Sequence, residues 1–198
     1  MADTKLSALA ALTGANVADG DLFYVDDVSV TTSKSITASE IRIAVGPQLG
    51  TQQASTSGTS IDFTGIPAGT KRITVMFVGV STNGTSALLV QVGDAGGFET
   101  TGYLSGAQAG TTLLESTAGF LATHASVAAQ TNNGKVVLSL ENSSAFTWTS
   151  SGNVLLTGNG VAVSGGSKSL SAELTQVRIT TVNGTDAFDA GAINVSYN

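Results

Sequence analysis

Residues 71–94, KRITVMFVGVSTNGTSALLVQVGD, set two apolar runs on either side of STNGTS. Asn83-Gly84 at the centre is a strong short-range hairpin signal, because both residues tolerate positive φ. A two-residue type I′ loop there predicts one register: Thr82 faces Thr85, Phe77 faces Val90, Val75 faces Val92 and Ile73 faces Asp94. One side of the ribbon then carries Ile73, Val75, Phe77, Leu88, Val90 and Val92. A one-residue slip would break that apolar face up. The other side carries Met76, Val78, Val80, Ala87 and Leu89, with Thr74 and Gln91. A ribbon apolar on both sides needs cover on both, from a second sheet, the N-terminal segment or another subunit.

Outward from this stretch, Asn-Gly recurs at 133–134, 159–160 and 183–184. The second signal predicts a hairpin that pairs Val127, Ala129 and Thr131 with Leu140, Leu138 and Val136, and the third pairs Leu156 with Val163. Ile61 and Phe63 alternate ahead of a turn at 65–69. Residues 96–103 read as a short strand along a sheet edge, and 104–118 as a long loop with weak strand at Thr111–Leu114. Gly119–Ala129 reads as a strand with Phe120, Ala122 and His124 on one side, and 145–150 places Phe146 and Trp148 together. Leu174–Val182 and the closing Gly191–Asn198 complete the set. Short strands at this density of turn signals predict an all-β chain, an antiparallel β-sandwich of jelly-roll-like form. The uneven spacing of the four dipeptides argues against a repeat architecture.

Residues 1–46 read as a separate strand-strand-helix module. Leu6, Leu9 and Leu12 form a short apolar stripe, Leu22-Phe23-Tyr24-Val25 a strand, and SVTTSKSIT a return strand centred on Ile36. Thr37-Ala38-Ser39-Glu40 matches a capping box. It predicts a helix over about 38–45, with Ile41 and Val45 on one face and a stop at Gly46-Pro47. A unit this small is unstable without a partner. The expected division is 1–46, an attachment module, and 47–198, the sandwich.

Only 11% of the 198 residues are charged, against roughly 25% in an average soluble domain. Together with 24 glycines and many Ser and Thr residues, this predicts a neutral, hydroxyl-rich surface, much of it buried in an assembly. The net charge of −6 includes no basic patch, which argues against nucleic acid as a partner. Without cysteine there is no disulfide framework and no thiolate chemistry. No apolar run approaches the roughly 18 residues of a spanning helix, so no membrane insertion is expected. MADTKLSALAALTG lacks the charged n-region of a secretory signal.

Chemistry-bearing patterns are few. The single histidine, His124, sits mid-strand beside apolar residues, so its plainer reading is a core or interface histidine rather than a triad member. No G-x-S-x-G, H-E-x-x-H, P-loop or Rossmann fingerprint occurs. Carboxylates gather at Asp19, Asp21, Asp26 and Asp27, at Asp94 and Glu99, and at Asp186 and Asp189. Such turns can bind Ca²⁺, yet acidic turn residues usually serve as Asx-turns, and no metal, cofactor or catalytic residue is assigned. A glycosidase would need two of these carboxylates facing across a cleft. Trp148, with Tyr103, is the candidate sugar-stacking platform; the competing reading of both is core.

Residues 5–45 resemble the small N-terminal modules of tailed-bacteriophage virion proteins. The likeness is carried by Lys5-Leu6-Ser7-Ala8-Leu9, Leu12-Thr13-Gly14, Asp19 through Asp26, Ser35-Ile36-Thr37 and Glu40-Ile41. Residues 53–103 resemble a β-domain of phage structural and fibre-like proteins, through Ile61 to Pro67, Lys71 to Phe77, Ser81 to Ser86 and Gly93 to Tyr103; Phe188 to Val195 follows the same pattern. The resemblance implies trimeric assembly and attachment to a capsid or tail, and transfers no site residue. The expected protein is a fibre- or spike-type virion subunit, assembled in the host cytoplasm. Its candidate particle contacts are Leu6, Leu9, Leu12, Phe23, Tyr24 and Ile41. Its expected partners are its own copies, other virion proteins and host surface glycan. The alternatives are a capsid decoration protein and a glycan-degrading enzyme.

Overall fold

The structure is a computed structural model that describes Gly20, residues 22–25, residues 34–37 and residues 46–198. The chain divides into two compact units, Met1–Pro47 and Gln48–Asn198. In the first, β1 (Leu22–Val25) pairs antiparallel with β2 (Lys34–Thr37), with Phe23 opposite Ile36. Leu6, Leu9, Leu12, Ile41 and the helix expected over 38–45 lie outside the described residues, as do the side chains of Phe23 and Tyr24.

The second unit is all-β, with no helix among the described residues. Its strands are β3 (Gln48–Leu49), β4 (Gln53–Ala54), β5 (Ile61–Thr64), β6 (Arg72–Thr82), β7 (Leu88–Asp94), β8 (Gly97–Phe98) and β9 (Leu104–Ala109). They continue as β10 (Thr112–Ser116), β11 (Phe120–Leu121), β12 (Asn132–Asn142), β13 (Thr147–Leu156), β14 (Gly160–Ser169), β15 (Gln176–Thr181) and β16 (Phe188–Tyr197). Nine form a large sheet in the order β10-β9-β14-β13-β12-β6-β16-β3, with β4 also on β16; five form a smaller one, β11-β7-β15-β5, with β8 on β7. All pairings are antiparallel, and the two sheets lie in a sandwich-like arrangement. The core between them takes Ile73, Val75 and Phe77 from β6, Val136 and Leu138 from β12, and Val154 from β13 on one side. Val90 and Val92 from β7, Val177 and Ile179 from β15, and Ile61 and Phe63 from β5 meet them from the other.

The expected hairpin at Asn83-Gly84 does not form. β6 pairs with β12 and β16, whereas β7 pairs with β15, β11 and β8. The apolar face read from the alternation is nevertheless a shared one: Ile73, Val75, Phe77, Leu88, Val90 and Val92 are all buried in one cluster. They meet across the sandwich instead of side by side. Neither Asn83 nor Gly84 takes the positive φ that a type I′ turn requires. Residues 83–87 instead arch from one sheet to the other, beside a second arch at 182–187 that carries β15 into β16. The Asn83 amide donates to the Ala187 carbonyl at 2.9 Å, the Ala187 amide to Asn83 Oδ1 at 2.9 Å, and the Ser86 amide to Asp186 Oδ2 at 2.9 Å. A Cβ on Gly84 would fall 2.0 Å from the Asp186 carboxyl carbon, so close approach, not turn type, explains that glycine.

The other dipeptides are corrected in the same way. Asn133-Gly134 lies inside β12, at a bulge where the pairing with β6 shifts between Asn132 and Gly134, and Asn133 Oδ1 accepts the Gly79 amide at 2.8 Å. β12 turns instead into β13, with Leu140 opposite Trp148. Near Asn159-Gly160 a hairpin does form, but Leu156 stands opposite Gly160 and Val163 opposite Asn153. Its loop is Thr157-Gly158-Asn159, with Gly158 at φ 80°. The stretch 104–118, expected as a long loop with weak strand at Thr111–Leu114, is a tight hairpin of β9 and β10 turning at Gly110-Thr111; β10 covers most of the expected strand and β9 is the part not foreseen. The strand expected over 119–129 shrinks to β11, whose Phe120 and Leu121 point to opposite sides. Phe120 enters the main core, and Leu121 joins Ala87, Leu89 and Ala107 in a second cluster.

Candidate functional site

Tyr103 and Trp148 offer no sugar platform. Tyr103 is 0% and Trp148 2% exposed. An aromatic ring stacks on a sugar only with an open face, and the alternation of β13 turns Trp148 inward between Thr147 and Thr149. The Tyr103 ring packs edge-on against Phe120 at 5.0 Å between centroids. Its hydroxyl accepts the Val92 amide at 2.9 Å and donates to the Glu99 carbonyl at 2.9 Å. Burial pushes the phenol pKa well above its usual range, despite the opposing Val92 hydrogen bond. Tyr103 is therefore a tie between β7 and the segment after it.

Asp19, Asp21, Asp26 and Asp27 lie outside the described residues; the other carboxylates named from sequence are held by the protein itself. The Ser171 hydroxyl donates to Asp94 Oδ2 at 2.6 Å and the Gly96 amide to Asp94 Oδ1 at 2.8 Å. These bonds, Ser171 first, hold the Asp94 carboxyl below the usual carboxylate range. Glu99 pairs with Lys168 and accepts the Ser171 amide. Asp186 braces the two arches, and Asp189 accepts the Ser81 hydroxyl. His124 is buried in the loop after β11, and its Nδ1 has no hydrogen-bond partner. Among the described residues, no group of three or more His, Asp or Glu side chains is placed to hold a metal ion. No helix among them is long and apolar enough to cross a membrane.

The broad surface is the outer face of the large sheet. Strand alternation sends every second side chain there, and the register lines them up across strands. Gly106 on β9 faces Gly165 on β14, Gly165 faces Ser151 on β13, Ser151 faces Val137 on β12, Val137 faces Thr74 on β6, and Thr74 faces Ser196 on β16. The adjacent row runs from Leu113 through Gln108, Val163, Asn153 and Lys135 to Met76. The next rows outward pair Leu155 with Val161 on one side, and Leu104 with Ser167 and Ser167 with Thr149 on the other. Nine large apolar side chains of Gln48–Asn198 stand exposed, and seven are on this face: Leu49, Val78, Leu104, Leu113, Leu155, Val161 and Val163. Charge in these rows is limited to Arg72, Lys135 and Glu115. An open hollow of about 510 Å³ adjoins Gly106, walled by Leu104, Glu115 and Thr117.

Comparison with protein-family models, curated proteins and solved structures returns no match. Composition pointed to a neutral, hydroxyl-rich surface without placing it. The signal that could have placed it is the run Thr147, Thr149, Ser151, Asn153, Leu155, every second residue of β13, each set between residues that point inward.

Proposed function

We propose that this chain is a structural subunit of a bacteriophage particle, of fibre or spike type. Residues 1–46 attach it to the particle, and residues 47–198 project toward the host surface as a β-sandwich that self-associates, as a trimer. The observation that carries the assembly role is the outer face of the large sheet, which gathers seven exposed large apolar side chains among Ser, Thr and Gly residues. Leu155, Val161 and Val163 are immediate neighbours on this face, and exposed apolar side chains concentrated on one face point to an interaction site. The phage attribution is supported by the resemblance of 5–45 and 53–103 to virion modules.

Mass spectrometry of purified particles, with antibody labelling in electron micrographs, tests the reading. The expected result is a few copies per particle located at the tail, and absence from particles overturns it. The breadth of the sheet face also suits lateral packing on a head shell. Hundreds of copies on the capsid would replace the fibre role with that of a decoration protein.

A further inference from the structure

We infer that the outer face of the large sheet, which carries Val163 of β14, is where copies of this chain meet one another. This rests on the self-association proposed above and names the surface that performs it. Three properties of the face select a second copy as its occupant.

The first is charge. The chain carries a net charge of −6, so two copies repel over most approaches. The rows around Val163 hold two cations, Arg72 and Lys135, against one carboxylate, Glu115. Two acidic chains can come together here without stacking carboxylates. Lys135 on β12 and Glu115 on β10 lie two strands to either side of β14, so the face presents both members of a charge pair.

The second is shape. Val161 and Val163 project from β14, and Leu155 stands beside Val161. Gly165, the next outward position on β14, has no side chain, and neither has Gly106 opposite it, where the hollow of about 510 Å³ opens. One face therefore holds both projecting and receiving elements, so the projecting part of one copy can seat in the receiving part of the next.

The third is size. The eight strands from β10 to β3 span about 34 Å at a spacing of about 4.8 Å, and four outward rows span about 20 Å. The face offers about 700 Å², close to the roughly 800 Å² that each partner gives to an interface of standard size.

Light scattering behind size-exclusion chromatography on the full chain tests this inference, with wild type compared with Val163→Glu, Gly106→Leu and Val182→Glu. Val182 is exposed, lies off this face and serves as the control. The leucine at 106 fills the hollow, and its Cβ meets nothing nearer than 3.6 Å, so it tests the contact where the glutamate could disturb the fold. Thermal unfolding of each variant confirms folding. The expected result is an oligomer for wild type and Val182→Glu, and a mass near the single chain's 19.7 kDa for the other two. A wild-type oligomer that survives both face substitutions overturns the surface and leaves self-association standing. A wild type that runs as a single chain at every concentration overturns both. If wild type is monomeric alone and joins only another virion protein, the occupant is that protein and the inference fails.

Discussion

Tyr103 illustrates what a single side chain contributes here. Its hydroxyl accepts a buried hydrogen bond from the Val92 amide and donates a half-buried one to the Glu99 carbonyl. Tyr103→Phe keeps the ring and strands both partners. It is expected to destabilise the sandwich by about 1–3 kcal/mol, read as a lower urea midpoint with an unchanged slope. The phenol is held neutral when folded, so stability is full below the usual tyrosine value of about 10 and falls as pH rises above it, where the unfolded phenol ionises. That alkaline loss should shrink in Tyr103→Phe. Asp94 works in the opposite direction. Its folded value is depressed by Ser171 and Gly96, so its contribution is present above the ordinary value of about 3.8 and lost as pH falls below it. Asp94→Asn should flatten the acid limb of a stability profile below about pH 4, and an unchanged limb would refute that role. Neither residue's position could be read from sequence. The scarcity of aromatics marked Tyr103 and Trp148 as noteworthy, but scarcity does not say whether a ring faces in or out.

Among the elements, the strands and their inward faces were legible and their neighbours were not. Alternation correctly grouped Ile73, Val75 and Phe77 with Val90 and Val92, because burial on one side of a strand leaves a period of two in the chain. Which strand lies beside β6 depends on residues some sixty and a hundred and twenty positions further along, and no local signal carries that information. Asn-Gly is permissive of tight turns without requiring one. Here it serves an arch at 83–84, a bulge at 133–134 and the edge of a three-residue loop at 159–160. The two arches depend on Asp186, which accepts from the Ser86 amide and from Asn183 Nδ2. Asp186→Ala is expected to cost about 1–3 kcal/mol through the stranded Ser86 amide. Amide exchange should rise at Ser86 and Ala187 before it rises in β12 to β14, and uniform exchange across the unit would contradict the bracing role.

For the whole molecule, the division after Pro47 and the closed core of Gln48–Asn198 predict that a chain lacking residues 1–46 still unfolds cooperatively on heating. In the proposed function it also loses binding to particles that lack this protein. Failure of the truncated chain to fold would mean that the two units share one core. The candidate surface was legible only as a bulk property, low charge with abundant hydroxyls, because its residues come from distant strands and become contiguous only in the assembled sheet. The arches have a consequence for how the molecule reaches its fold. β12, β13 and β14 are joined by short turns and can pair as soon as they are made. β7 and β15 are adjacent in the small sheet yet more than eighty residues apart, so their ladder closes only after a long loop has been drawn in, and loop entropy opposes each such step. Contacts this remote in sequence place the chain among slow folders, in the millisecond-to-second range. Until the two arches lock, the inner faces of both sheets stay open to water and to other chains. Contacts between residues 83–87 and residues 182–187 are therefore expected to form late, and a slow step of that kind lengthens the time in which newly made copies can stick together before they are fit to assemble.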